Sequence, residues 1–397
     1  MKKKIAFDMF LNVVATAIPT IALQLFIQPS MARGMDDNLY GLLVTMLALL
    51  NVIPATFGNT LNNIRLIYQK GDDEQRPNYQ VLLLILAAVN LLLMTLITLL
   101  YDRTVTPLSL LLILVVSLFW LAREYYSVAF RIQLNYVNIV ISNLIMVLGY
   151  GIGFLLFTRL GNWQWVFLMG NLFSLVFIFL KCSLWKEKLI TDSNFRNISW
   201  QMILLMIAGL LTRITNYADK LLIYPILGGA VVSVYYAATL FGKIVSMAIT
   251  PISGVMLSYL SKTRGKDDHT FRMTFLLSSA VCVVGYFVCI AISRPILTLL
   301  YPQFVNSAMN YIWITTGTMV LTTLVSVINP FVLRYFDMKW QIIINAAYVA
   351  AYVSLSMLLL QKFGLYGFCV GTLIATVFKM ILMLVIFEKC EEKKTEP

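Results

Sequence analysis

Twelve stretches of this chain are apolar for long enough to cross a bilayer, and that fixes the fold class before any motif is read. A helix rising about 1.5 Å per residue needs roughly 20 apolar residues to span the hydrocarbon. Breaks in hydrophobicity place the spans at 5–30, 39–67, 79–101, 107–130, 135–158, 163–184, 198–227, 230–259, 271–293, 304–333, 339–361 and 365–387. The basic residues support that count. When the connections are numbered alternately from the N-terminus, 21 of the 30 Lys and Arg fall in one set, including Lys2, Lys3, Lys4 and the stretches 181–196 and 262–272. The other set holds five: Arg33, Arg103, Arg159, Arg294 and Lys362. Arg213, Lys220, Lys243 and Lys379 lie inside spans. Short loops rich in Lys and Arg stay cytoplasmic. Both termini are therefore expected inside, in a multi-pass plasma membrane protein.

Composition narrows the function. With 60% hydrophobic and 12% charged residues and a mean hydropathy of +0.84, the chain is far from the soluble globular range. Its pI near 9.4 and net charge of +12 do not point to nucleic acid. The basic residues sit at helix ends on one face, where anionic headgroups attract them. The run after Lys4 is too long for a signal peptide, carries Pro19 and lacks a small-residue cleavage site.

The five cysteines (Cys182, Cys282, Cys289, Cys369 and Cys390) lie in spans or at their cytoplasmic ends, without metal-ligand or redox spacing. They read as packing residues, and no metal is expected. His269, the only histidine, sits in a charged loop beside Asp267 and Asp268 and reads as solvated. No loop is long enough for a soluble catalytic domain, and no phosphate-binding loop motif is present. No enzymatic activity and no cofactor are expected. Gly149-Tyr150-Gly151-Ile152-Gly153 lies within an apolar span, where small residues let helices approach closely.

The basic stretch 181–196 divides the chain into two expected six-helix bundles, 1–185 and 186–397. Weak internal similarity supports this division. Arg131, Asn143 and Gly161 are answered by Arg334, Asn345 and Gly364, with both Arg-to-Gly distances at 30 residues. Six spans per half make the repeats parallel, an arrangement used for alternating access about a central cavity.

Charges inside spans carry the chemistry. An Arg at the centre of a span costs about 2.5–3.5 kcal/mol on insertion scales, so it should face protein or water. Arg213 is near the middle of span 7, followed by Asn216, Asp219 and Lys220, and Lys243 is near the middle of span 8. If these spans form a hairpin about Gly228-Gly229, Arg213 and Lys243 reach similar depth and make a site for an anionic headgroup such as a diphosphate. The competing reading is an intramembrane pair of Asp219 with Lys220, Arg213 or Lys243. At the cytoplasmic ends, Arg65 and Arg123 either extend the basic cavity or, for Arg123, pair with Glu124. Pro19 and Pro225 interrupt spans 1 and 7 and are candidate hinges.

Further motifs follow in order. Pro29-Ser30-Met31-Ala32-Arg33 precedes Leu39-Tyr40-Gly41, and Tyr217-Ala218-Asp219-Lys220 precedes Val234-Tyr235-Tyr236-Ala237-Ala238 and Pro251. Arg294-Pro295 to Tyr301-Pro302 and Phe363-Gly364-Leu365-Tyr366-Gly367 complete the series over nearly the whole chain. Together they resemble the Wzx-type polysaccharide flippases, the lipid-linked oligosaccharide branch of the multidrug/oligosaccharidyl-lipid/polysaccharide exporter superfamily.

That resemblance implies movement of an undecaprenyl-diphosphate-linked sugar unit from the inner to the outer leaflet, for capsule, exopolysaccharide or other envelope glycan assembly. It implies a bacterial cytoplasmic membrane, a sodium or proton gradient as driving force, and glycan polymerases or glycosyltransferases of the same pathway as partners. Arg213, Lys243, Arg123 and Arg65 would be headgroup contacts, with Asp219 and Asn345 the candidates for ion coupling. Relatives that flip the peptidoglycan precursor place an acid near such an amide, where this chain has Val349. A drug or small-metabolite exporter of the same superfamily and a membrane glycan polymerase are the competing readings.

Overall fold

The computed structural model describes residues 2–68, 79–187, 195–240, 242, 268–336 and 338–389. Among them there is no strand, and ten helices are long and apolar enough to cross a membrane. The chain is an all-helical, multi-pass membrane protein. The first unit contains α1 (Lys2–Ile21), α2 (Gln28–Arg33), α3 (Asp37–Val52), α4 (Pro54–Tyr68), α5 (Tyr79–Tyr101), α6 (Pro107–Tyr126), α7 (Val128–Ile132), α8 (Tyr136–Leu160), α9 (Gln164–Lys181) and α10 (Phe195–Leu227). Then come α11 (Gly229–Leu240), α12 (Asp268–Leu300), α13 (Val305–Tyr335) and α14 (Met338–Lys389).

The helix count agrees with about twelve spans once α14 is examined. Its 52 residues would reach roughly 78 Å, more than twice the hydrocarbon thickness. Gly364 breaks it, with φ 59° and ψ −145°. Two spans therefore follow each other there, as expected from 339–361 and 365–387. The expected span 230–259 is seen as α11 and Gly242; its remainder lies outside the described residues.

Packing divides the chain into two units, Met1–Gly229 and Ala230–Pro397. The halves 1–185 and 186–397 drawn from the repeat are a proposal about duplication. Packing groups α10 with the first unit for a local reason: the start of α3 meets Gly229, two residues past the end of α10, backbone to backbone. A Cβ on Gly41 would lie 1.8 Å from the Gly229 carbonyl oxygen, and one on Gly229 would lie 2.3 Å from that of Asn38. Only glycine fits at either position.

In the first unit the segment spanning α3 and α4 is innermost, with 83% of its apolar window buried against 28% for α8. The other helices cover it. Some polar groups buried between them are matched across helices: Asn90 Nδ2 donates to Ser117 Oγ at 2.9 Å, and the Ser142 and Ser174 hydroxyls meet at 2.8 Å. In hydrocarbon an unmatched polar group costs several kcal/mol, roughly 2–7 by transfer scales. The glycine run in α8 acts as expected. Cβ atoms on Gly149 and Gly153 would meet the backbone of Met169 and of Trp165 and Val166 on α9 at 2.5–2.6 Å, whereas Gly151 faces open space.

The second unit is held by aromatic packing. Phe271 of α12 stacks on Phe387 of α14 at 3.6 Å and meets Phe331 of α13 edge-on at 5.2 Å. Nearer its start, the Thr315 hydroxyl donates to the Ala238 carbonyl at 2.9 Å, and Tyr235 packs edge-on against Phe368. Gly161 and Gly364 both turn the chain at positive φ (80° and 59°).

Candidate functional site

The intramembrane charges of α10 fall into two separate arrangements. Asp219 and Lys220 form a self-contained pair. Lys220 Nζ donates to both carboxylate oxygens at 2.7 Å, and its own backbone N–H adds a third bond at 2.9 Å. Both residues are buried, and Lys220 also lies 5.6 Å from the Tyr217 ring centre. Of the two readings of Asp219, pairing with the adjacent lysine is the arrangement present.

Arg213 is different. It is half-buried, and its Nη1 donates to the carbonyl of Asn51 at 3.0 Å. Among the described residues it pairs with no carboxylate. Its acceptor is exposed by the α3–α4 kink. Pro54 has no N–H, so the helical ladder lapses around Leu50 and Asn51. The Thr56 hydroxyl takes the Val52 carbonyl, and the Arg213 guanidinium takes that of Asn51. A membrane proline thus recruits a cation from another helix. Lys243, the expected partner of Arg213, lies outside the described residues.

Both candidate hinge prolines show the same logic. Pro19 leaves the Ala15 carbonyl without its helical donor four residues on. Asn143 Nδ2 on α8 supplies one at 2.7 Å. Beyond Pro19 the helix loosens into a π-helical stretch, Ala22–Ile27, before α2. Pro225 likewise frees the Leu221 carbonyl, and the Tyr101 hydroxyl donates to it at 3.0 Å while its ring stacks on Tyr224. α10 runs through Pro225 without a break.

The two arginines expected at the cytoplasmic ends, Arg65 and Arg123, are both paired. Arg65 is 2% exposed and makes a two-pronged ion pair with Glu187. It also donates to the Tyr125 hydroxyl at 2.7 Å and lies 5.0 Å from the Tyr79 ring centre. The Gln80 side chain holds the next stretch of chain through the Leu184 carbonyl at 2.7 Å. Arg65 therefore fastens the chain leaving α9 to the end of α4.

Arg123 pairs with its neighbour Glu124, the second of the two readings the sequence left open for it. Nearby, Arg131 joins α7 to α4 through Asn62 and Asn63 at 2.7 and 3.1 Å. In the second unit Asn345 is exposed on α14. Of the five charged residues named for the site from sequence, Asp219 and Arg123 each pair with the neighbouring residue of the same helix. The roles of Asn143, Tyr101 and Glu187 emerge only in three dimensions.

No family model and no curated protein matches the sequence. Solved structures do match, over almost the whole chain. The lipid II flippase MurJ in an inward closed conformation superposes with a TM-score of 0.71, covering 97% of this chain and 87% of that one at 14% identity. An inward-facing multidrug resistance MATE family transporter of the MOP superfamily gives 0.63, covering 95% and 98% at 10% identity. A MATE transporter in the bent conformation gives 0.58 at 11% identity, covering 98% and 95%. The chain has the fold of these membrane transporters.

Proposed function

We propose that the protein is a flippase that carries an undecaprenyl-diphosphate-linked oligosaccharide from the inner to the outer leaflet by alternating access, feeding capsule, exopolysaccharide or other envelope glycan assembly. The observation that carries this reading is Arg213. A guanidinium held in the middle of a membrane helix by one carbonyl, with no carboxylate beside it among the described residues, keeps its charge for a ligand. The adjacent Asp219 is already neutralised by Lys220, so the fixed charge at this depth is positive. Lys243, one span on in the sequence, is proposed to add a second cation.

The physics asks nothing more than a polar path. Dragging a diphosphate and several sugars through hydrocarbon costs many kcal/mol, several (roughly 2–7) for each unmatched polar group. A groove with fixed cations lowers that barrier without making or breaking a covalent bond. The likeness to a lipid II flippase supports a lipid-borne cargo. The likeness to multidrug transporters keeps a small-molecule exporter as the second reading, but among the described residues a cationic drug would find no free acid beside Arg213.

Asp219 is proposed to sense a sodium or proton gradient, because neutralising its carboxylate would release Lys220 as a further cation on the same helix.

The test is the leaflet distribution of diphosphate-linked sugars in cells depleted of the protein. Inner-leaflet accumulation with loss of surface glycan is the expected outcome, and the trapped lipid identifies the sugar. Accumulation in the outer leaflet instead means a polymerase or ligase, and no accumulation means an exporter of other cargo.

A further inference from the structure

Three arginines on α4, α6 and α7 are compensated in different ways. Arg65 has the carboxylate of Glu187, and Arg123 has that of Glu124. Arg131 has no carboxylate among the described residues. Its Nη1 donates instead to Asn62 Oδ1 at 2.7 Å and to Asn63 Oδ1 at 3.1 Å. Neutral amides position this cation without cancelling its charge.

The same two bonds fix what the cluster presents to the outside. A guanidinium can only donate, so both amide oxygens must face it. The Asn62 amide nitrogen is taken up by the Glu124 carbonyl at 2.9 Å and the Ser127 hydroxyl at 3.1 Å. Arg131 Nη2 and Nε and Asn63 Nδ2 have no partner among the described residues. Both residues are half-buried, and these three nitrogens remain accessible. The open side of the cluster therefore offers N–H groups beside an uncancelled positive charge. An oxyanion suits that surface, and a phosphate can accept from Nη2 and Nε together.

Position says where the phosphate comes from. The membrane-crossing stretches Pro107–Ile132 and Tyr136–Leu160 are joined here, so Arg131 lies at a membrane surface whichever way the chain is inserted. The turn between them carries a second signal. Asn135 N–H donates to the Phe130 carbonyl at 2.8 Å and Leu134 N–H to that of Arg131 at 3.1 Å. These are the paired bonds of a helix end that usually has glycine at its left-handed position. Leu134 occupies that position, at φ 52°, and no other non-glycine residue among those described has a positive φ. A leucine held there is strained, and at 61% exposure the protein gives it little packing in return. A phosphate with an acyl chain beneath it satisfies both the cation and the leucine.

We propose that Arg131, Asn63 and Leu134 form a binding site for an anionic glycerophospholipid, its phosphate accepting from the Arg131 and Asn63 N–H groups and an acyl chain lying against Leu134. A resident lipid fits better than a flipped cargo, because a cation braced at a turn holds its ligand at one depth. The site does not involve Arg213 and stands independently of the flippase reading.

The experiment is native mass spectrometry of the full-length protein, delipidated in detergent and titrated with phosphatidylglycerol, phosphatidylcholine or undecaprenyl phosphate. Phosphatidylglycerol should bind about fivefold more tightly than phosphatidylcholine, whose own cation offsets its phosphate. Asn63→Asp keeps the bridge to α4 and gives Arg131 the carboxylate it lacks. Its melting temperature should hold or rise while its affinity for phosphatidylglycerol falls about tenfold. Arg131→Lys should keep part of the affinity that Arg131→Gln loses. Leu134→Gly relieves the strained turn, so it should melt no lower than the parent yet bind phosphatidylglycerol about threefold more weakly. Equal affinity for the two phospholipids overturns the site. So does an Asn63→Asp protein that binds phosphatidylglycerol as the parent does, or an equal loss in Arg131→Lys and Arg131→Gln; Arg131 is then only a brace between α7 and α4. Undecaprenyl phosphate bound more tightly than phosphatidylglycerol, with the same loss in Asn63→Asp, overturns the resident lipid and assigns the site to cargo.

Discussion

Asn143 and Ala15 are 128 residues apart in sequence and joined by a hydrogen bond of 2.7 Å, from the amide of one to the main-chain carbonyl of the other. Ala15 is fully buried, and its carbonyl needs an outside donor only because Pro19 cannot supply the helical one. The bond therefore exists on account of the proline, and a double-mutant cycle should show it. Asn143→Leu is expected to cost about 1–2 kcal/mol by orphaning a buried acceptor. In a Pro19→Ala background the restored N–H reaches Ala15, so the same change should cost about 1 kcal/mol less. Thermal unfolding of the four proteins in one detergent measures this. Additive losses would mean that Asn143 acts through packing alone.

The three glycines of the α8 run separate by environment. A methyl group on Gly149 or Gly153 enters the α9 backbone at 2.5–2.6 Å, where no flexible side chain can yield. Gly149→Ala and Gly153→Ala should each destabilise by about 2–3 kcal/mol through forced helix separation. Gly151→Ala meets nothing and removes a helix-weakening residue, so it should be neutral or gain up to about 1 kcal/mol. Yield and melting temperature of the three variants decide this, and a Gly151→Ala as damaging as the other two would show that the whole run is packed.

What sequence could reveal here follows from what the bilayer demands. The spans were legible because each must be long and apolar whatever it packs against, and the turns at Gly161 and Gly364 were legible as breaks between them. Arg123 with Glu124 was legible because the partners are adjacent. The pairing of Arg65 with Glu187 was not, since 122 residues separate them. The proline rule announces that Ala15 and Leu221 need donors, yet nothing in the chain nominates Asn143 or Tyr101.

Arg65 and Glu187 offer a test of whether that pair is structural. Arg65 is buried and also bonded to Tyr125, while the Glu187 side chain is 29% exposed. Removing the acid strands a buried cation, so Glu187→Ala should destabilise by about 3 kcal/mol. Arg65→Met with Glu187→Ala exchanges both charges for neutral groups and should recover much of that loss. Thermal melts of the three variants give the comparison. A Glu187→Ala protein that melts like the parent would leave Arg65 as a cation without a necessary partner, and would return it to the set of headgroup candidates.

Arg213 has two duties that ordinary alanine substitution confounds: it donates to the Asn51 carbonyl, and it places a charge in the membrane. Arg213→Gln separates them, since an amide can still donate to the carbonyl and carries no charge. Its stability should lie within about 1 kcal/mol of the parent. Its flipping rate should fall roughly tenfold or more, which corresponds to about 1.4 kcal/mol of barrier. Arg213→Lys keeps the charge with a different reach and should fall between parent and Arg213→Gln. Arg213→Ala loses both duties and should be slowest and least stable. The readout is surface glycan restored to depleted cells at matched protein levels, alongside melting of the purified variants. Should Arg213→Gln restore glycan as well as the parent while Arg213→Ala does not, the residue serves the Pro54 kink, and the anion must be held elsewhere.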